Sequence, residues 1–395
     1  MTEQEALVAL NMIPDVGSLR LKNLLEAFGS APRIFLNSPE KLKQVEKIGS
    51  KIANAINTFP FENLKKELEL AKKLKVRILT VNDDNYPQNL KNIFDPPICL
   101  YVKGDILPQD EISLGIVGSR RASFYGLQVA EKFAYSLAQL KFTIVSGLAR
   151  GVDTSAHKGA LKAKGRTLAI LGSGLNCIYP EENFKLAEEI SHAGAVISEF
   201  PLNFGPQPRN FPRRNRVISG LSMGVIVVEA AKNSGALITA DFALEQGREV
   251  FAVPGKVDSA TSFGTNQLIK QGAKLTDSVE DILEELDLGL SSGRGGSRTA
   301  PTEQPASATQ SVSVSCCIQK EGVVEKQIVE KTASFSEEEG LIYNLLDDKP
   351  RFVDEVVEQT KLAVHRVMPA LLKLEMRNFI KQLPGKKYIR TEINT

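Results

Sequence analysis

Short apolar runs alternate with longer helical segments between residues 114 and 286, and this alternation limits the possible folds more than any other feature. The runs are LGIVG, FTIVSG, TLAILG, AVISE, GVIVVEA and EVFAVPG, with roughly 15 to 30 residues between successive runs. The intervening segment LQVAEKFAYSLAQL has the apolar spacing of a helix. Because this order is typical of a parallel sheet with helices on both faces, we predict a Rossmann-like α/β domain.

The loop GSRRASFYG directly follows the first apolar run and is a candidate binding loop, since ligands of parallel sheets bind at the carboxyl ends of the strands. It lacks the G-x-G-x-x-G spacing of dinucleotide-binding turns, and the chain has no G-x-x-x-x-G-K-[ST] run. NAD, FAD and P-loop ATP hydrolysis are therefore disfavoured. Arg120 at this turn could instead hold a phosphate through charge-assisted hydrogen bonds. A structural salt bridge is the alternative for Arg120 and the favoured interpretation for Arg121.

The sequence SGLARGVDTSAH follows the second apolar run and predicts another strand-to-helix turn. Gly147 and Gly151 would let the backbone approach a ligand closely. We predict that Asp153 or Thr154 caps the next helix. His157 would lie inside that helix with no obvious partner, so we predict a structural role for it and not a catalytic one.

A third candidate loop is NFPRRNRVISG, in which Asn210 is a good helix N-cap and Pro212 suits the first helical position. The first turn would then contain Arg213, Arg214 and Arg216. Each cation at the positive end of a helix dipole costs about 0.3 to 1 kcal/mol. We therefore predict that an anion lies among these arginines.

The segment from Pro201 to Ser222 contains four arginines and no acid, including Arg209 just before the predicted helix. The whole chain has a formal charge of only +2, so any attraction for nucleic acid must come from local patches such as this one. Phe211 stands among the arginines, and an aromatic ring surrounded by cations suits a stacked base of single-stranded nucleic acid. Core packing is the alternative for Phe211.

The N-terminal region contains a weak internal repeat over 13–28 and 45–59, each with an apolar-Gly-Ser turn before an amphipathic segment. The repeat resembles paired helix-hairpin-helix elements, whose glycine turns can bind phosphate, and a small helical packing domain is the alternative. A charged helix over 61–74 and strand-like pieces over 77–81 and 98–104 follow, and we expect them to extend the sheet domain.

Five motifs agree in order and spacing with the DNA-processing protein A (Smf) family, which the chain resembles over the whole Rossmann-like domain. They are GSRRASFYG, SGLARGVDTSAH, NFPRRNRVISGLS, VIVVEAAKNSGALITADFALEQGREVFAVPG and GTNQLIKQGA. The resemblance implies a protein that binds single-stranded DNA, protects incoming DNA and helps load RecA recombinase during natural transformation.

The resemblance also assigns residues. It implies phosphate binding by Gly118, Ser119 and Arg120, and it places four residues in the basic pocket segment: Arg209, Phe211, Arg213 and Arg216. With Gly147, Asn210 and Arg214, these residues complete the predicted DNA-binding set. The resemblance further implies a homodimer through the Rossmann-like domain, and GTNQLIKQGA could present Leu268 and Ile269 on one helical face for that contact.

The C-terminal region begins with a stretch dominated by Gly, Ser, Thr, Ala and Pro, which predicts a flexible linker. Three helical segments and two short strands follow, an order typical of a winged helix. Its third helix carries only His365, Arg366 and Lys373 before a mixed-charge run, so we favour protein contact or modulation of the main domain over duplex binding. The predicted organisation is a helical domain over 1–60, the Rossmann-like domain over 61–287, the linker over 288–334 and the winged-helix-like domain over 335–395.

An enzyme is the alternative to a binding protein. Glu229 ends a strand before SGALITA, a layout similar to nucleoside-monophosphate phosphoribohydrolases, but their P-G-G-x-G-T loop is missing. We predict that the protein has no catalytic residues and that Glu229 orients arginines of the pocket. The four cysteines lack metal-ligand spacing, so neither a metal nor a cofactor is expected. With no run of 18 apolar residues and no positive start to a signal peptide, we expect a cytoplasmic protein without a membrane span.

Overall fold

The computed structural model describes residues 1–286, 337–347, 351–360, 379–383 and 387–390, and the single positions 367, 370, 371 and 374. The chain divides into two compact units, Met1–Gly295 and Gly296–Thr395. The whole predicted linker over 288–334 lies within the first gap and so outside the described residues. The four predicted domain boundaries remain predictions.

The first unit begins with six helices, which confirm that the N-terminal region is helical. They are α1 (Glu3–Met12), α2 (Ser18–Phe28), α3 (Ala31–Ile34), α4 (Pro39–Leu42), α5 (Ser50–Asn57) and α6 (Phe61–Lys73). Gly17 and Gly49 stand at the N-cap positions of α2 and α5, so both copies of the repeat form a glycine turn before a helix. The two copies are joined where Lys51 Nζ lies 2.9 Å from Asp15 Oδ2.

A nine-stranded sheet follows. Its strands are β1 (Arg77–Thr80), β2 (Cys99–Gly104), β3 (Ser113–Val117), β4 (Thr143–Ser146), β5 (Thr167–Leu171), β6 (Ala195–Ser198), β7 (Gly224–Val227), β8 (Glu249–Ala252) and β9 (Lys274–Leu275). The spatial order is β1-β2-β6-β5-β4-β3-β7-β8-β9. Strands β3 to β9 pair in parallel, while β2 joins β1 and β6 in antiparallel pairing. The six predicted parallel strands and the two strand-like pieces are thus confirmed.

Helices cover both faces of the sheet. After α7 (Gln88–Lys91), they are α8 (Phe124–Gln139), α9 (Val152–Lys162), α10 (Phe184–Ala193), α11 (Asn210–Leu221), α12 (Gly235–Glu245), α13 (Phe263–Lys270) and α14 (Val279–Glu285). Successive residues of a strand point to opposite faces of the sheet and so into different cores. In β7, Ile226 packs with α8 and α9, whereas Val225 and Val227 pack with α11 and α12. The N-terminal helices share a third core with residues of β2 and α10.

The strand order reverses direction at β3, which lies between β4 and β7. The chain runs from β3 through β4 and β5 to β6, and α11 then returns it to the other side of β3, where β7 begins. Such a switch point leaves a crevice outside the carboxyl ends of the central strands, where ligands of open α/β sheets bind. The loops that leave β3 and β7 border this crevice.

The second unit contains α15 (Glu337–Leu345), β10 (Arg351–Phe352), α16 (Val353–Thr360), β11 (Ile380–Leu383) and β12 (Lys387–Arg390). The three strands form an antiparallel sheet in the order β10-β12-β11. Ile342, Val356 and Tyr388 are among the side chains of its core. The predicted pair of short strands is confirmed, whereas His365, Arg366 and Lys373 lie outside the described residues. No helix among the described residues is long and apolar enough to cross a bilayer.

Candidate nucleic-acid interface

A cavity of about 1120 Å³ lies at the carboxyl edge of the parallel strands. Its walls come from the loops after β3, β4, β5, β7 and β8 and the segment before α11, together with residues of α9, α11, α12 and α13. The charged side chains of its lining are Arg120, Arg121, Asp153, Arg214 and Lys232. Four of these are cations, and the single acid is 5% exposed, so the open part of the cavity is positive.

The turn after β3 packs directly on the turn after β4. A Cβ atom at Gly118 would lie 2.6 Å from the Val152 side chain, and Gly151 has a φ of 77° that favours glycine. The amide of Val152 donates to the carbonyl of Ser119 over 3.3 Å. The amide of Arg121 donates to Ser119 Oγ over 3.1 Å and so tightens the turn. Both glycines therefore serve the packing of two loops, and this packing fixes where Arg120 emerges.

Arg120 lies over the ring of Phe211, with Cζ 4.9 Å from the ring centroid. Tyr179 packs against the same ring at a centroid distance of 5.7 Å. Arg120 and Arg121 are exposed, and neither forms an ion pair with a carboxylate in the described part of the chain. The structural salt bridge considered for each is thus absent from that part, and the Arg120 guanidinium can meet an external anion.

The N-cap of helix α11 lies one residue before the predicted cap. Arg209 occupies the N-cap position, and Asn210 is the first helical residue. The prediction that Asn210 caps the helix was wrong because its side chain is buried and donates to the carbonyl of Gly172 over 3.2 Å. Arg209 is exposed, and its Nε donates to Gln207 Oε1 over 2.9 Å.

Glu199 supplies the anion for two arginines of α11. It directly follows β6 and is 4% exposed. Its Oε2 lies 3.1 Å from Arg213 Nη2 and 2.6 Å from Arg216 Nη2, and Arg216 Nε lies 3.4 Å from Asp95 Oδ2. A protein carboxylate therefore already offsets part of the charge of Arg213 and Arg216. That DNA contacts these two arginines stays a prediction.

Arg214 is held by the sheet. It is 4% exposed, and its Nη1 donates to the carbonyls of Gly147 and Ile170, at the carboxyl ends of β4 and β5. A Cβ atom at position 147 would lie 2.5 Å from Arg214 Cζ, so this glycine gives room to a side chain of the protein itself. Burial lowers the pKa of Arg214 to about 10, an effect partly opposed by the charge of Asp153. The guanidinium remains charged at neutral pH.

Asp153 holds the loop that Arg214 supports. Its Oδ2 accepts from the amides of Gly147 and Ala149 over 3.1 and 3.3 Å, and burial raises its pKa despite the charge of Arg214. Gly151 occupies the N-cap position of α9, so the prediction that Asp153 or Thr154 caps this helix was wrong. The carboxylate instead reaches back to the amides of the preceding loop.

Two further titratable residues, His157 and Glu229, form hydrogen bonds within the protein. His157 is fully buried, its Nδ1 lies 2.7 Å from Thr167 Oγ1, and burial lowers its pKa to about 3. Glu229 accepts from the amide of Ser123 over 2.8 Å and from its hydroxyl over 2.6 Å. The prediction that Glu229 orients arginines was wrong, since it holds Ser123, the N-cap residue of α8.

The proposed self-association face also needs correction. Leu268 is 5% exposed and belongs to the core beneath α12, and Ile269 packs against the same core. Leu268 is therefore not available for contact with a second copy. The neighbouring helix α12 exposes other apolar residues, with 60% of Leu244 and 37% of Ile238 accessible.

Sequence reasoning missed four residues around this edge: Tyr179, Glu199, Lys232 and Phe263. They lie in the segments that follow β5, β6, β7 and β8. The rule that ligands meet the carboxyl ends of parallel strands could have indicated all four. Among the described residues, no group of three His, Cys, Asp or Glu side chains could hold a metal ion.

Comparison with known proteins gives the same assignment along the chain. Residues 77–287 match the family described as DNA recombination-mediator protein A, and residues 327–386 match the DprA winged helix domain. Protein Smf of Synechocystis is 34% identical over 98% of this chain and 99% of its own length. Protein Smf of Escherichia coli is 46% identical over 59% of this chain, and the match spans 63% of that protein.

A solved structure extends the comparison to three dimensions. The X-ray structure of DNA processing protein A from Streptococcus pneumoniae superimposes with a TM-score of 0.64 and 34% sequence identity. The match covers 72% of this chain and 98% of the pneumococcal chain. The chain therefore belongs to the DNA recombination-mediator protein A family, also known as DprA or Smf.

Proposed function

We propose that the chain binds single-stranded DNA at the carboxyl edge of its sheet and acts as a recombination mediator. The observation that carries the proposal is the pair formed by the exposed Arg120 and the half-buried ring of Phe211 at the wall of a positive cavity. A cation can hold a phosphate while a neighbouring ring stacks a base, which is how single strands are bound without sequence preference. Duplex should bind less well, because its bases are already paired and stacked.

The predicted contact residues divide into two groups. We expect Arg120, Arg209 and Phe211 to meet DNA, together with the turn at Gly118 and Ser119. The remaining predicted contacts have side chains that are buried, paired with the protein or small, and we expect them to shape the site: Gly147, Asn210, Arg213, Arg214 and Arg216. Of these, Arg213 is the most exposed, with 45% of its side chain accessible. It stands between the two groups.

A titration of the full chain with fluorescent single-stranded and duplex oligonucleotides over a range of salt concentrations tests this proposal. If about three to five phosphates are neutralised, log affinity should fall against log salt with a slope of about −2 to −3.5. Equal affinity for duplex and single strand would contradict the proposal, because a stacking site requires unpaired bases.

Phe211→Ala tests the stacking part of the proposal. Loss of one stacked base should cost about 1 to 3 kcal/mol of binding free energy and leave the salt slope almost unchanged. Phe61→Ala is the matched control, since Phe61 is 48% exposed and lies outside the cavity lining. A Phe211 variant that binds as tightly as the control would show that the ring stacks no base.

The biological role that we propose rests on the family. The protein would act in the cytoplasm, where it would protect incoming single strands in natural transformation and help load RecA recombinase on them. Filament formation by RecA on strands already coated with single-strand-binding protein should be faster when the chain is added. An Arg120→Ala variant should lose this effect, and acceleration that is independent of Arg120 would separate loading from the cavity.

We also propose that the chain is not an enzyme and that it forms a homodimer through the Rossmann-like domain. Glu229 is committed to Ser123, which argues against its use as a catalytic carboxylate. Nucleoside monophosphates should therefore release no ribose 5-phosphate in its presence. The exposed Leu244 is a better candidate for a dimer contact than Leu268, and Leu244→Glu should shift sedimentation toward monomer. A chain that is monomeric at every concentration would remove the dimer.

A further inference from the structure

The wall of the cavity contains a second pair of a cation and an aromatic ring. Lys232 Nζ lies 5.9 Å from the ring centroid of Phe263, and both residues line the cavity that contains Arg120 and Phe211. The two pairs come from different strands: Arg120 follows β3, whereas Lys232 follows β7 and Phe263 follows β8. The two pairs therefore lie on opposite sides of the switch point between β3 and β7.

The second pair shows little sign of a structural role. Phe263 is 49% exposed and belongs to none of the hydrophobic cores of the described residues. Lys232 is exposed and forms no ion pair within the described ranges. A half-exposed ring on the wall of a large cavity offers a face on which a planar group can stack.

The size and charge of the cavity also favour more than one nucleotide. At about 1120 Å³ it exceeds the range of roughly 300 to 1000 Å³ that is usual for pockets of drug-sized ligands. Its cations lie on both sides of the switch point, with Arg120 and Arg121 on the β3 side and Lys232 on the β7 side. A strand that leaves the first subsite toward β7 therefore meets another positive charge.

We propose that Lys232 and Phe263 form a second nucleotide subsite, in which Phe263 stacks a base and Lys232 holds a neighbouring phosphate of the same strand. The inference rests on the proposed binding of single-stranded DNA and specifies the route that the strand takes across the cavity. The strand crosses the carboxyl ends of β3 and β7, from Phe211 to Phe263. Asn233 and Thr261 line the same side and offer polar groups to the sugar or base between the two rings.

A series of oligodeoxythymidylates of increasing length tests the path. For the parent chain, affinity should rise steeply at the length at which one strand reaches both rings. Phe263→Ala should bind the shortest oligonucleotides as the parent does and should lose about 5- to 150-fold in affinity for longer ones. Lys232→Ala should make the salt slope shallower by about 0.7 for the longer ones only.

Matched controls keep the two proposals apart. Phe61→Ala removes a ring of similar exposure, and Lys158→Ala removes an exposed cation of α9, both outside the cavity lining. If Phe211→Ala weakens binding while Phe263→Ala and Lys232→Ala match the controls at every length, the second subsite is wrong and the proposed function stands. If Phe211→Ala and Arg120→Ala also match the controls, the proposed function itself fails. An equal loss at all lengths for Phe263→Ala would also overturn the subsite, because it would place that ring in the first one.

Discussion

Arginines at the carboxyl edge of the sheet occur in two environments, a buried layer and an exposed rim. The buried layer consists of Arg214 and Arg216, which are 4% and 6% exposed and have partners in Gly147, Ile170 and Glu199. The exposed rim consists of Arg120, Arg121 and Arg209, which form no ion pair within the described residues. The buried arginines of this basic patch thus hold the protein together, whereas the exposed ones are available to an external anion.

The difference follows from the cost of burying charge. A buried guanidinium must recover several kcal/mol of lost hydration from its protein partners, so its hydrogen bonds are already committed. An exposed guanidinium keeps its hydration and can exchange water for a phosphate. We therefore expect changes in the buried layer to act first on stability, and changes in the rim to act first on affinity and its salt dependence.

The largest effect should come from the buried layer at Arg214. Arg214→Met would leave the carbonyls of Gly147 and Ile170 and the carboxylate of Asp153 without their cation, which should cost about 3 to 5 kcal/mol of unfolding free energy. Chemical denaturation measures this loss. Arg209→Met on the rim is the control and should stay within about 0.5 kcal/mol of the parent. Full stability with lost DNA affinity would instead make Arg214 a direct contact.

Glu199 should show the next largest effect. Glu199→Gln keeps an acceptor for Arg216 but removes the charge, and the weaker hydrogen bonds should cost about 1.5 to 3 kcal/mol of stability. Affinity for single strands should not fall, because Arg213 then lacks its internal counter-charge, while Arg216 keeps Asp95 as a carboxylate partner. Denaturation and DNA titration of one preparation measure both quantities. A strong loss of affinity without loss of stability would contradict the assignment of Glu199 as a structural partner of the buried Arg216.

His157, which is buried near Arg214, makes the stability of the fold depend on pH. Burial lowers its pKa from 6.5 to about 3, so between these values the unfolded chain binds more protons than the folded one. Stability should therefore fall with decreasing pH below about 6.5, by about 2 kcal/mol at pH 5 from this residue. Denaturation of the parent and of His157→Asn over this range isolates the contribution. An equal slope in both proteins would assign the pH dependence to other groups.

The strand and helix order could be predicted from sequence because it depends on local apolar periods. The glycine turns before α2 and α5 and the strands β3 to β8 were all found in this way. The edge of the sheet that carries the site followed from a general rule for parallel strands.

The partners of the arginines could not be predicted in the same way. Glu199 is 17 residues from Arg216, and the carbonyl of Gly147 is 67 residues from Arg214. These groups come together because α11 packs across the sheet, and a local charge pattern in the sequence does not indicate where that helix packs. For the same reason the expected cap at Asn210 was wrong, since its side chain meets the distant carbonyl of Gly172.

The rim should show its clearest effect at Arg120. Arg120→Ala should lower affinity for single strands about tenfold at moderate salt and make the slope shallower by about 0.7, because one phosphate contact is lost. Thermal unfolding should not change, since the guanidinium has no carboxylate partner in the described part of the chain. Arg120→Lys should restore the slope but only part of the affinity, because the contact of the guanidinium with the Phe211 ring is lost. A melting temperature that collapses in Arg120→Ala would move this residue to the buried layer.

Arg213 lies between the two layers and should show the smallest effect. Its side chain is 45% exposed, its Nη2 lies 3.1 Å from Glu199 Oε2, and its guanidinium packs 5.3 Å from the ring centroid of Phe200. Because Glu199 already offsets part of its charge, Arg213→Ala should make the salt slope shallower by less than the roughly 0.7 of a full phosphate contact. The stability loss should stay near or below about 1 kcal/mol, as for other partly exposed ion pairs. In the Glu199→Gln background the same substitution should change the slope by a full contact, since the internal counter-charge is then absent. An identical change of the salt slope in both backgrounds would show that Glu199 does not offset the charge of Arg213.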